Sequence, residues 1–152
     1  MRALIAALVL FPAFAMAQET PLDRGIVAGC LAETPPRQTV AACIGDAARQ
    51  CQTAPGGDTT VGMMDCLMAE RDVWDGFLND EYRETREALA HVEGWQASLL
   101  AAQRAWIAFR DAECKLAYDR YEGGSMRVIA GADCQMRQTA RRTLELRAIR
   151  EP

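Results

Sequence analysis

Residues 102–114 read AQRAWIAFRDAEC. At 3.6 residues per turn, Gln103, Trp106, Ile107, Arg110 and Cys114 fall on one face of a helix. An amide, an indole, a guanidinium and a thiol on one core-facing stripe cost free energy unless each polar group meets a partner. The partners must therefore be encoded elsewhere, on elements that can pack against this helix.

The pattern on both sides is also helical. From Thr60 onward, Met63, Leu67, Trp74, Phe77, Leu78, Tyr82, Leu89 and Val92 recur at three- and four-residue steps. Thr60 is the expected N-cap, and Gly94 interrupts the run with His91 in its last turn. A second helix is predicted from about Trp95 to Tyr121, its stripe continuing through Leu99, Gln103, Trp106, Arg110, Cys114 and Ala117. Gly123-Gly124-Ser125 ends it by supplying backbone freedom. A third helix follows from about Met126 to Ile149 through Ile129, Cys134, Ala140, Leu144 and Ala148. Strand-period alternation is absent. Short connections force antiparallel neighbours, so the predicted fold is all-α, an antiparallel bundle of three long helices.

Upstream, Pro21, Pro35-Pro36 and Pro55-Gly56-Gly57 cut residues 18–62 into short pieces. Leu22–Leu31 and Gln38–Gln52 can each form a short helix, docked on the main body by disulfides. At the N-terminus, MRALIAALVLFPAFAMA places one arginine before an apolar run that closes on Ala15-Met16-Ala17. This is the pattern of a secretory signal peptide, too short to span a bilayer comfortably. The expected division is a signal peptide over 1–17, a helical extension over 18–58 and a helical domain over 59–152. The expected location is periplasmic or secreted, without membrane insertion after cleavage near Ala17. Val27-Ala28-Gly29-Cys30 imitates a lipoprotein box, but Glu19, Asp23 and Arg24 separate it from the apolar run.

Six cysteines, at positions 30, 43, 51, 66, 114 and 134, form an even set in a chain read as exported, which implies disulfides. Six allow 15 pairings, and the spacing does not choose among them. A metal site is not expected, because no C-x-x-C occurs and His91 is the single histidine. No cofactor is expected.

Charge is unevenly spread. Residues 18–93 carry 14 acidic and 6 basic side chains, and residues 94–152 carry 7 and 10. An acidic exported chain is a poor ligand for nucleic acid and a suitable partner for a basic protein.

Two polar groupings are candidates for function. Asp75, Asn79, Tyr82 and Arg86 share one face of the first long helix. Antiparallel pairing would set them against Gln103 and Arg110, carboxylate to guanidinium and amide to amide. The favoured reading is an internal network that fixes helix register; the alternative is a partner-binding surface. The second grouping is the loop Gly123-Gly124-Ser125 with Tyr121. It is either a plain helix–helix turn or a narrow loop offered to a partner's cleft. Catalysis is disfavoured. His91 stands alone at a helix end, Ser125 has no visible base, and the cysteines are assigned to bridges.

Several motifs occur in a recognisable order: Cys51, Thr60, Met63 and Cys66; DGFLNDEY over Asp75 to Tyr82; Ala102 to Cys114; Gly123 to Ser125; Cys134; and Thr139 with Arg142. Over roughly residues 51–149 the chain resembles the N-terminal domain family of LprI-type lysozyme inhibitors. The resemblance implies bridges Cys51–Cys66 and Cys114–Cys134, leaving Cys30 and Cys43 for each other. It also implies a binding protein, not an enzyme, whose partner is a lysozyme, many of which are basic. The alternative function is a structural or interaction module of the cell envelope without lysozyme activity. An enzyme acting on cell-wall material is a third reading, against which the missing acid/base pair argues.

Overall fold

The computed structural model describes residues 21–151, so the signal-peptide expectation for 1–17 lies outside the described residues. Five helices and no strand occur among them: α1 (Arg24–Glu33), α2 (Asp46–Cys51), α3 (Thr60–Ala88), α4 (Trp95–Asp119) and α5 (Met126–Ile149). None is long and apolar enough to cross a membrane.

Local chemistry sets the boundaries. Asp23 caps α1 by accepting from the Gly25 N–H at 2.8 Å. The helix ends where the Thr34 hydroxyl donates to the Cys30 carbonyl at 2.6 Å, just before Pro35-Pro36. The second short helix is briefer than the expected Gln38–Gln52: only Asp46–Cys51 is α-helical, entered through Gly45 at φ 96°. Thr59, not Thr60, caps α3, its hydroxyl accepting from the Gly62 N–H at 3.0 Å. Gly62 permits a close approach, since a Cβ there would lie 2.1 Å from the Gly56 carbonyl oxygen. At the far end α3 stops at Ala88, so Leu89, His91 and Val92 fall in the connection. That connection reaches α4 through Gly94 at φ 74°.

The long helices pack unevenly. α5 is the central element, running along both α3 and α4, whereas α3 and α4 have little direct contact. Their side-chain hydrogen bonds to each other lie beside the connection: Trp95 Nε1 donates to the Thr85 carbonyl at 3.3 Å, and Arg86 and Gln96 exchange two bonds. The α4 stripe expected to face α3 therefore faces α5.

The main core joins Val27, Cys30, Ile44, Ala47 and Cys51 from the N-terminal segment to Leu67, Val73 and Trp74 of α3 and Met136, Ala140 and Leu144 of α5. A smaller cluster of Leu78, Leu99 and Leu146, with Tyr82, Trp95 and Trp106 against it, sits nearer the α3–α4 connection. Disulfides Cys30–Cys43, Cys51–Cys66 and Cys114–Cys134 tie α1 to the segment before α2, α2 to α3, and α4 to α5. The bridged cysteines are 13, 15 and 20 positions apart, closures worth about 3 kcal/mol each in the chain-entropy picture. Cys30 is thereby committed to a bridge.

Candidate functional site

The seam between α4 and α5 fixes the far end of the molecule. Cys114 and Cys134 are bonded with Cα atoms 5.3 Å apart. Arg142 donates through Nε to the Gln103 side-chain oxygen at 3.1 Å and through Nη1 to Glu145 at 3.1 Å. The Arg110 and Arg142 guanidinium carbons lie 5.1 and 5.9 Å from the Trp106 ring centroid. The polar face of AQRAWIAFRDAEC thus finds two of its partners on α5, Arg142 for Gln103 and Trp106 and Cys134 for Cys114, while Arg110 bonds Asp111 of its own helix.

The polar network expected between the first two long helices is not assembled. Asp75 and Asn79 bond each other at 3.3 Å near the surface. Tyr82 is half-buried against the smaller core cluster. Gln103 goes to Arg142, and Arg110 bonds its chain neighbour Asp111 at 2.8 and 3.0 Å. The physical reason is the placement of α5, whose bulk holds α3 and α4 apart beyond their connection. Arg110→Ala is therefore expected to cost only about 1 kcal/mol, while Arg142→Ala, which strands Gln103 and uncovers Trp106, should cost about 2 kcal/mol. Thermal unfolding of the two variants checks the order; the reverse ranking would contradict this account.

With the seam fixed, residues 119–126 form an exposed tip. α4 ends at Asp119, and successive turn bonds follow: Glu122 N–H to Asp119 O at 2.9 Å, Gly124 N–H to Tyr121 O at 2.9 Å, and Arg127 N–H to Gly124 O at 3.2 Å. The left-handed residue of this turn is Glu122, at φ 48°, not a glycine. The expectation that the glycines supply conformational freedom is thus corrected. A Cβ on Gly123 would meet nothing within 4 Å. Ser125 occupies the N-cap position of α5 but makes no capping side-chain bond. Gly123, Gly124 and Ser125 are exposed, and Tyr121 is 40% exposed. Two arginine–tyrosine stacks brace the tip: Arg120 with Tyr121 at 5.9 Å and Arg127 with Tyr118 at 5.2 Å.

Beside the tip, the divergence of α3 from α4 leaves a groove of about 560 Å³. Met64 and Met68 form one wall, Asp111, Lys115 and Tyr118 the other, and Gly131 and Ala132 of α5 lie between them. Acidic Asp65 is exposed on the same turn as Met64 and has no ion-pair partner among the described residues. Further along α3, exposed Arg83 has its pKa raised by its hydrogen bond to Asp80. Among the described residues no group of three or more histidine, cysteine, aspartate or glutamate side chains could hold a metal ion.

Sequence reasoning does not single out the buried polar residues Glu70, Glu81, Thr85 and Thr143. A signal for the first three existed. Glu70, Glu81 and Thr85 keep the helical step of Leu67, Trp74 and Leu78, so they lie on the core stripe.

The family model described as Lysozyme inhibitor LprI matches residues 51–146, well over half of the chain. The chain is also similar to an uncharacterized protein of Rhizobium meliloti (strain 1021), at 32% identity over 130 residues, 76% of this chain and 94% of the relative. No solved structure matches.

Proposed function

Because the chain belongs to the lysozyme inhibitor LprI family, we propose that it is an exported binding protein, not an enzyme, that inhibits a lysozyme by presenting its α4–α5 tip to the enzyme's cleft. The observation that carries this reading is the chemistry of the tip. Gly123 is a glycine where the fold requires none, Ser125 is a cap residue that caps nothing, and Tyr121 stands exposed beside them. Bare backbone and a free hydroxyl on a braced turn suit insertion into a narrow site, and the rigid support limits the entropy lost on binding.

In this reading the three long helices act as one antiparallel bundle with α5 at its centre. Residues 18–58 extend the body formed by 59–152, and residues 1–17 direct export to the periplasm or beyond. Three disulfides are consistent with an oxidising compartment. The acidic first half of the chain, a net −8 over residues 18–93, favours encounter with a basic enzyme.

The test is a titration of the mature protein against lysozymes of more than one structural type, reading binding and cell-wall turnover together. Saturable, stoichiometric inhibition is expected. Association should be faster at low salt, because the Debye length falls from ~30 Å at 0.01 M to ~8 Å at 0.15 M. Ser125→Arg should weaken binding about tenfold or more, a change of about 1.4 kcal/mol, while leaving Tm unchanged. Absence of saturable binding to every lysozyme tested would remove the inhibitor reading. Binding that ignores Ser125→Arg would keep the partner and discard the tip.

A further inference from the structure

A surface helix of a soluble protein normally turns charged residues to solvent. α4 does not. Leu100, Ile107, Phe109 and Leu116 are 43, 41, 55 and 67% exposed. Between residues 97 and 112 the exposed charges are Arg104 and Asp111 alone. Helical spacing arranges this surface into a ridge with two borders. Ala101, Ala105, Ala108 and Ala112, all exposed, recur at steps of four, three and four residues along the side facing away from α5. Phe109 and Leu116, seven apart, border one side of the ridge; Arg104 and Asp111, also seven apart, border the other, with Leu100 and Ile107 beyond them toward α5. Apolar exposure concentrated on one helix marks an interaction surface.

Two properties of the ridge identify its occupant as another α4. The first is symmetry of size. A two-fold axis near residues 106–107 sets Ala101 against the partner's Ala112 and Ala105 against the partner's Ala108, so the helix axes can approach closely. The same register carries bulky Phe109 onto the partner's Ala102 and Leu116 onto the partner's Ser98. The second is charge. Residues 95–110 of α4 carry Arg104 and Arg110 and no acid, whereas residues 111–119 carry Asp111, Glu113 and Asp119 against Lys115. Arg110 is turned to the α5 seam, so at the ridge itself antiparallel pairing brings Arg104 beside the partner's Asp111. Arg104 has no ion-pair partner among the described residues, and Asp111 is paired with Arg110 of its own helix. We propose that two copies of this chain associate through α4, antiparallel across a two-fold axis, with the alanine ridge as the seam. This surface is separate from the tip, and the inference does not rest on the inhibitor reading.

Sedimentation equilibrium of the whole mature protein tests it. A monomer–dimer equilibrium in the micromolar range is expected. Ala108→Glu, which places a carboxylate in the seam, should abolish dimer formation while the helical circular dichroism and Tm stay unchanged. Arg104→Asp and Asp111→Arg should each weaken association about tenfold, and the double exchange should restore it. Because both exchanged residues are exposed, that series decides the matter even if Ala108→Glu folds poorly. A chain that stays monomeric into the millimolar range overturns the proposal. So does a dimer indifferent to Ala108→Glu, or a charge exchange that fails to restore what the single changes removed.

Discussion

Glu70→Ala is expected to cost about 4 kcal/mol, from about 1–3 kcal/mol for each buried donor left unsatisfied, moderated by entering water. The side chain is 1% exposed and receives three hydrogen bonds. Oε1 accepts from the Gly45 N–H at 2.8 Å and from the Trp74 indole N–H at 3.1 Å, and Oε2 accepts from the Ala48 N–H at 2.7 Å. Gly45 is the N-cap of α2 and has no side chain with which to cap it. Glu70 therefore supplies, from α3, the acceptor that the start of α2 lacks, and its charge meets the positive end of that helix. A six-residue helix has little stability of its own, so α2 depends on this contact. Glu70→Gln retains an oxygen for two of the donors but turns an amide N–H₂ toward the third, and should cost about 2 kcal/mol. Urea denaturation measures both losses, and amide exchange at Gly45 and Ala48 should accelerate in each variant. A loss below ~1 kcal/mol for Glu70→Ala would show that water satisfies these donors as well as the carboxylate does.

That dependence also marks how far the sequence could be read. Helices α3, α4 and α5 were legible because their apolar residues recur at helical steps over more than twenty positions, long enough for the period to dominate local exceptions. Their ends were legible where backbone chemistry punctuates: Gly94 before α4, the Gly-Gly-Ser turn before α5. What could not be read was which stripe meets which. Periodicity gives the direction of each face around its own helix and nothing about the neighbour it meets, so Gln103 and Arg110 were matched to Asp75 and Asn79 on the assumption that helices adjacent in the chain pack together. In the structure α5 takes that position, and Gln103 meets Arg142 instead. Glu70 and Arg147 were passed over for a related reason. A charged residue on a helix is ordinarily solvated, and its burial becomes visible only when the backbone N–H or carbonyl groups it serves are located. At the tip, the exposed loop after α4 was legible from the sequence, but its backbone conformation was not. The glycines are the expected source of backbone freedom there, whereas the positive φ falls on Glu122, so the turn makes no conformational demand for glycine at position 123.

Arg147→Met is expected to cost about 3 kcal/mol, since charge-assisted hydrogen bonds contribute roughly 1.5–3 kcal/mol each and water can reach part of this partly buried site. Its guanidinium donates through Nη1 to the Leu31 carbonyl at 2.7 Å and through Nη2 to the Thr34 carbonyl at 2.8 Å, with Pro35 at 3.4 Å. These carbonyls belong to the end of α1, where helical acceptors have no partner within the helix and the dipole is negative. Pro35-Pro36 follows at once, and a proline nitrogen carries no hydrogen to offer them. Arg147 thus closes α1 from the opposite end of the chain, and it holds the N-terminal segment to α5 where the Cys30–Cys43 bridge, which lies wholly within that segment, cannot. Arg147→Lys separates charge from geometry. An ammonium keeps the attraction to the helix end but cannot span both carbonyls as a planar fork does, so it should recover about half of the loss. Equilibrium unfolding of the three proteins gives the ranking, and limited proteolysis between residues 34 and 45 should become faster in the order wild type, Lys, Met. If the lysine variant matches the wild type, positive charge at the end of α1 is sufficient and the fork is incidental; if the methionine variant also matches it, burial of Val27, Cys30 and Ile44 holds the segment without Arg147.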